Sequence, residues 1–184
     1  MAQKATVCKA ALQIADIDRG LYADHQLTLA RHPSETDERM MIRLLAFALC
    51  VPADSRDGGL EFAKGMWDPD EPELWQKDLT GRIVQWIEVG QPEERRLAKA
   101  SGRSDRVSVF AFGSSAGAWW SGLGSRIHRA GNIEAWRIPA EQSRELAELA
   151  ARGMKVQLNR QDGMVWVADG TRSVQVVPER MGGA

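Results

Sequence analysis

The chain holds only two cysteines in 184 residues, Cys8 and Cys50, and no Cys-x-x-Cys spacing. That points away from a disulfide framework and towards buried free thiols in a reducing compartment. No segment approaches 18 consecutive apolar residues, so a membrane-spanning helix is not expected. The first residues carry charge throughout and lack a long apolar run, so no secretory leader is expected and the chain reads as a soluble cytoplasmic protein. Neither sign of charge is in excess, with 24 Lys and Arg against 25 Asp and Glu. The net charge of −1 and pI near 6.3 exclude the basic balance of a tight, non-specific nucleic-acid binder. Any such contact needs a local patch. There is no internal repeat and no low-complexity run. What is present is a 43% hydrophobic content, enough for one compact domain spanning residues 1–184.

The stretch from Glu71 to Gln91 reads as a β-hairpin, with arms Leu74–Lys77 and Ile83–Val89 around the turn Asp78-Leu79-Thr80-Gly81-Arg82. If the turn is centred between Thr80 and Gly81, Glu73 faces Glu88, Trp75 faces Trp86 and Lys77 faces Val84, all on one side of the ribbon. Opposed Cβ atoms then lie roughly 4.5–5.5 Å apart, where two carboxylates repel unless a divalent cation sits between them. The other reading leaves both glutamates at solvated strand ends. The register decides between them, because a slip of one residue reverses every side chain.

Around the hairpin, Lys4–Asp16 and Tyr22–Arg31 read as strands joined at Asp18-Arg19-Gly20. His25 and His32 are either ligands or ordinary strand side chains. A helix follows Pro33, with Ser34 as N-cap, Asp37 three residues on, and Met41, Leu44, Leu45, Ala48 and Leu49 as an apolar stripe. Glu38 falls on that stripe and needs a partner. Leu60–Lys64 reads as a strand. A helix is expected from Gln91-Pro92 to about Gly102, with Pro92 at its first position. Then come a strand at Arg106–Phe112, a helix at Ser114–Gly122, a strand at Ile133–Ile138, and a helix led by Pro139 to Arg152. The tail reads as a β-meander, Lys155–Asn159, Met164–Val167 and Ser173–Val177. The whole suggests an α/β or α+β domain with a mixed sheet.

Gly113-Ser114-Ser115-Ala116-Gly117 fits the G-x-S-x-G of a nucleophile elbow. A hydrolase then needs an acid and afterwards a histidine. The one later histidine, His128, comes before the first later acid, Glu134. The small residues are better read as a loop packed closely against Trp119 and Trp120.

Four stretches carry a further resemblance: RHPSETDERMMIRLLAFAL (Arg31–Leu49), EPELWQKDLTG (Glu71–Gly81), WIEVGQPEERR (Trp86–Arg96) and DGMVWVADGTRSV (Asp162–Val174). Together they resemble the YaeQ family of small bacterial proteins over essentially the full length. The resemblance implies a variant of the PD-(D/E)xK fold of restriction endonucleases, a mixed sheet flanked by helices, here with an N-terminal hairpin and a C-terminal meander. In that fold an acid begins one hairpin strand, a (D/E)xK triplet ends the next, and a further acid comes from the preceding helix. Pro72-Glu73 matches the first element, Glu88-Val89-Gly90 the second, and Glu38 the helix acid. Gly90 stands where the lysine is usual, so Gln91, Lys64, Arg95 or Lys99 would have to serve in its place.

Two function classes follow. One is a Mg²⁺- or Mn²⁺-dependent nuclease on DNA or RNA, with Glu73 and Glu88 as metal ligands, Glu38 as ligand or base, and Gln91 or Lys99 orienting water. The other is a non-catalytic descendant binding nucleic acid or a protein partner. The pair Trp75 and Trp86 either stacks on bases or covers the sheet under a helix.

Overall fold

The computed structural model describes residues 4–182. Two mixed sheets form, with helices between and outside them. The first sheet joins the two ends of the chain. Strands β1 (Thr6–Asp16) and β2 (Leu21–Arg31) make an antiparallel hairpin, and β1 also pairs in parallel with β8 (Gly153–Gln161). The meander β8, β9 (Met164–Ala168) and β10 (Ser173–Val176) completes the order β10-β9-β8-β1-β2. The expected N-terminal hairpin and C-terminal meander are thus one sheet, a pairing across most of the chain that no local pattern announces.

The second sheet has the order β11-β7-β6-β5-β4-β3. Its strands are β3 (Leu60–Phe62), β4 (Leu74–Lys77), β5 (Ile83–Val89), β6 (Ser104–Phe112), β7 (Ile133–Ile138) and β11 (Glu179–Gly182). β3, β4 and β5 run antiparallel, then β5, β6 and β7 run parallel through helical crossovers. The closing strand β11 pairs antiparallel with β7 and was not foreseen.

Helix α1 (Asp37–Cys50) packs in the core shared by the two sheets, beside α5 (Ala140–Ala147). Its residues from Met40 to Ala48 are all buried, so it is an interior helix and not the one-sided amphipathic helix its stripe suggests. Thr36 and not Ser34 is the N-cap, its side chain accepting from the Arg39 amide at 3.1 Å. The outer face of the second sheet carries a separate core of Trp86, Val107, Val109, Ile133 and Ala135 under α2 (Glu94–Arg103) and α4 (Ser125–His128). A short α3 (Ala116–Gly122) precedes α4. Helix α2 begins after Glu93, so Pro92 lies before it, and α5 stops five residues short of the expected Arg152.

The hairpin register is informative. Leu74 pairs with Ile87, Trp75 with Trp86 and Gln76 with Gln85, as a turn centred between Thr80 and Gly81 requires. Lys77, however, pairs with Ile83 and not Val84. The Asp78 carboxylate accepts from the amides of Thr80 and Arg82, at 2.8 and 3.0 Å, and closes a turn centred on Thr80. A bulge then restores the register one residue later.

Candidate functional site

Glu73 and Glu88 come to one cleft at the end of the hairpin. Glu73 directly precedes β4, where the ladder ends at the pair Leu74 with Ile87, and its amide bonds the same Ile87 carbonyl at 3.1 Å, which ties it to the end of the hairpin. Glu88 is the penultimate residue of β5. Both are buried, and their side chains line an open cleft shared with Arg39, Gly65, Met66, Val89, Gln91 and Arg96. Gly65 suits this place twice over: its φ of +51° disfavours L side chains, and a Cβ there would displace the Glu73 carboxylate from its present position. The 3₁₀ turn Gly65–Trp67 therefore packs its backbone directly against the acid.

Each acid is met by an arginine. Arg39, in the first turn of α1, donates to Glu73 and at 3.0 Å to Glu35. Arg43, one turn on, forms a bidentate pair with Glu35 at 2.7 Å per bond and lies 3.9 Å from Glu73. Glu88 Oε1 accepts from Arg96 of α2 at 2.8 Å and from the Trp86 indole at 2.7 Å. Arg96 also ties the carbonyls of Pro69 and Glu71, at 2.8 and 2.7 Å, holding the loop that walls the cleft. Burial pushes the Glu88 carboxyl above its ordinary range, and the negative Glu73 adds to that, while Arg96 and Trp86 pull it back. Burial works to lower Arg39, but Glu73 and Glu35 outweigh it and hold the guanidinium above its usual value.

Of the residues singled out in the sequence, Glu73, Glu88 and Gln91 line this cleft. Gly90 has φ +99°, a backbone conformation that L side chains rarely adopt, so the chain turns at the position where a lysine would stand. That turn brings Gln91 round to the cleft against strict alternation, and its amide nitrogen donates to Ser115 Oγ at 2.9 Å and the Phe112 carbonyl at 3.2 Å. Glu38 is elsewhere: its carboxylate accepts from Ser143 Oγ of α5 at 2.5 Å, the partner its place on the apolar stripe demanded. Lys99 pairs with Asp70. Lys64 lies 3.7 Å from both Asp68 and Glu71. Trp86 is buried edge-on to Trp75 at 6.4 Å between ring centres, a core contact. His32 accepts from the Ser34 amide through Nδ1 at 3.0 Å, and His25 packs edge-on to Phe47.

The residues the sequence reading passed over are Glu35, Arg39, Arg43 and Arg96. Arg39 and Arg43 share a face of α1 four residues apart, and Glu35 lies four residues before Arg39, just ahead of the Thr36 cap; that spacing was the available signal. Arg96 stands next to Arg95 in WIEVGQPEERR, and only the phase of α2 separates them.

Magnesium is commonly held by one or two carboxylates, with waters and substrate phosphate completing its shell. Glu73 and Glu88 are oxygen donors of the type such an ion takes, and each is paired here with an arginine. Among the described residues no group of three or more His, Cys, Asp and Glu assembles, so the donor set is not that of a closed cage.

Residues 1–178 match the family profile described as "YaeQ protein". The chain is 42% identical to an uncharacterised YaeQ protein of Salmonella typhi and 41% to that of Escherichia coli K12, over 96% of this chain and 95% of each relative. The crystal structure of a YaeQ protein from Xanthomonas axonopodis pv. citri superposes with a TM-score of 0.91 at 43% identity, covering 98% of this chain and 100% of that one. One from Pseudomonas syringae gives 0.90 at 37% identity, covering 100% and 99%.

Proposed function

The chain belongs to the YaeQ family, and on that premise we propose that the Glu73–Glu88 cleft is a divalent-cation-dependent phosphodiesterase site acting on nucleic acid. The observation that carries this reading is the convergence of two buried carboxylates from adjacent strands on one open cleft that also holds two arginines. A bound Mg²⁺ or Mn²⁺ would polarise the phosphate and lower the pKa of water. Glu73 and Glu88 would hold it. Arg39 and Arg96, on either side of the acids, place positive charge where a phosphodiester's negative oxygens would lie. Gln91 lines the cleft and would orient the attacking water through its amide oxygen, whose one partner among the described residues is a long 3.3 Å bond from Ser115. Lys99 and Glu38 are committed to Asp70 and Ser143, so this reading gives them no part in the chemistry.

A second reading has its own observation. The guanidinium of Arg96 is fully committed to Glu88, Pro69 and Glu71, and Gly90 supplies no lysine. A non-catalytic descendant of the fold, binding nucleic acid or a protein, would retain that lock on its acids.

Calorimetric titration with Mn²⁺ separates the two. The nuclease reading expects saturable binding that Glu88→Ala abolishes, followed by metal-dependent cleavage in a panel of DNA and RNA substrates. Absence of Mn²⁺ binding both alone and with oligonucleotide present would sink it and favour the non-catalytic descendant.

A further inference from the structure

At the other end of α1 from the acidic cleft, a second cavity lies between the two sheets. It encloses about 330 Å³, within the roughly 300–1,000 Å³ typical of small-molecule sites. It shares no lining residue with the Glu73–Glu88 cleft. One side is the face of β6 and β7, where the paired residues Phe110 and Trp136 give an aromatic floor. The turn end of the first sheet supplies the opposite side, with Arg19, Arg160 and Gly163.

The charges around it are unequal in what they have left to give. Arg19 is fully engaged, bonding Asp16 at 2.6 Å and closing the C-terminus of α1 through the Ala48 and Val51 carbonyls at 2.8 Å each. Arg160 leans on Asp16 at 3.5 Å and Asp18 at 3.3 Å, distances too long for strong charge-assisted bonds. Arg106 is aimed by a 2.6 Å bond to the neutral Gln85 amide oxygen and pairs with no carboxylate among the described residues. Glu134 is the one acid lining the cavity, and its counter-charge, Arg180, stands 3.6 Å away. Cys50 lies among these groups: burial pushes its thiol up to about 12, Arg106, Arg19 and Arg160 oppose that, and Glu134 adds to it.

A guanidinium paired with no carboxylate among the described residues, a second weakly paired one, an aromatic floor and a carboxylate whose counter-charge stands 3.6 Å off match a ligand with an anionic end, a flat body and N–H donors. We propose that this cavity binds a nucleoside monophosphate, with its phosphate on Arg106 and Arg160, its base against Trp136 and Phe110, and Glu134 accepting from the base edge. Guanine presents two adjacent donors to a carboxylate, so GMP is the preferred member.

The test titrates the full chain with GMP, AMP, CMP and UMP, with guanosine and inorganic phosphate as controls, by calorimetry and by the Trp indole signals in ¹H–¹⁵N spectra. The expected result is saturable GMP binding that shifts an indole signal lost in Trp136→Phe. Arg106→Gln should weaken it roughly tenfold or more, the loss of one charge-assisted hydrogen bond. Glu134→Gln should narrow the preference for GMP, and Arg96→Gln should leave binding unchanged. Arg106 is exposed, and thermal melts of each variant verify that it folds. The proposal is overturned if no nucleotide binds at millimolar concentration, if phosphate alone binds as tightly as GMP, or if Arg96→Gln removes binding while Arg106→Gln and Glu134→Gln do not.

Discussion

Glu88 sits between opposed influences. Burial and the charge of Glu73 favour its protonated form, while Arg96 and the Trp86 indole favour the carboxylate, and burial prevails. Its folded value therefore lies above the unfolded value of 4.5. Between the two values the folded chain keeps a proton that the unfolded chain has released. The stability this group contributes thus declines as pH rises from 4.5 through the folded value. Glu88→Gln cannot lose that proton, so as pH rises above 4.5 its melting temperature should fall less than that of the unaltered chain. Parallel melting profiles for the two proteins would show that Glu88 does not carry the slope. At the same scale, Gly90 at φ +99° turns the chain at the end of β5, and Gln91 after it lines the cleft.

Helix α1 is the element that binds the acidic cleft to the core. Its stripe of leucines and methionines reads as amphipathic, yet both sheets and α5 close round it. The polar residues of its first turns therefore cannot reach solvent freely. Glu35 and Arg43, with side chains 1% and 5% exposed, satisfy each other, and Arg39 extends the chain of charges to Glu73. Removing Arg43 leaves the buried Glu35 carboxylate with the single 3.0 Å bond to Arg39, a loss that costs about 3 kcal/mol, the low end for a broken buried pair. Arg43→Ala should lower unfolding stability by about that amount in urea titration. The double variant Glu35→Leu, Arg43→Met should recover most of the loss, because the pair's own desolvation disappears with it. A small effect from Arg43→Ala alone would mean that water already reaches Glu35.

Across the whole molecule, the ends of the chain meet in the first sheet. β1 pairs with β8 from Lys9 to Asp16, and Val156, Leu158, Val165 and Val167 pack on the core around α1. A chain ended at residue 150 loses β8 to β11, strips one side of that core and leaves β1 with an open edge. It should show no cooperative urea transition. A cooperative transition would show that the remaining strands and α1 stand alone. Among the described residues no helix is long and apolar enough to cross a membrane.

What the sequence by itself determined is the local grammar: the strand periods, the hairpin and its Trp75–Trp86 register, and the placing of Glu73 and Glu88 at the same end of the hairpin. These depend on neighbours a few residues apart, and alternation with turn chemistry is enough to place them. The four stretches quoted above were also sufficient to indicate the family. Only the tertiary structure decided which side chains meet. It drew Glu38 to Ser143, Lys99 to Asp70 and Arg96 to Glu88, and it joined β1 to β8. Such contacts depend on helix phase and on packing between segments far apart in the chain, where a rotation of one residue exchanges Arg95 for Arg96 and no local pattern records the choice.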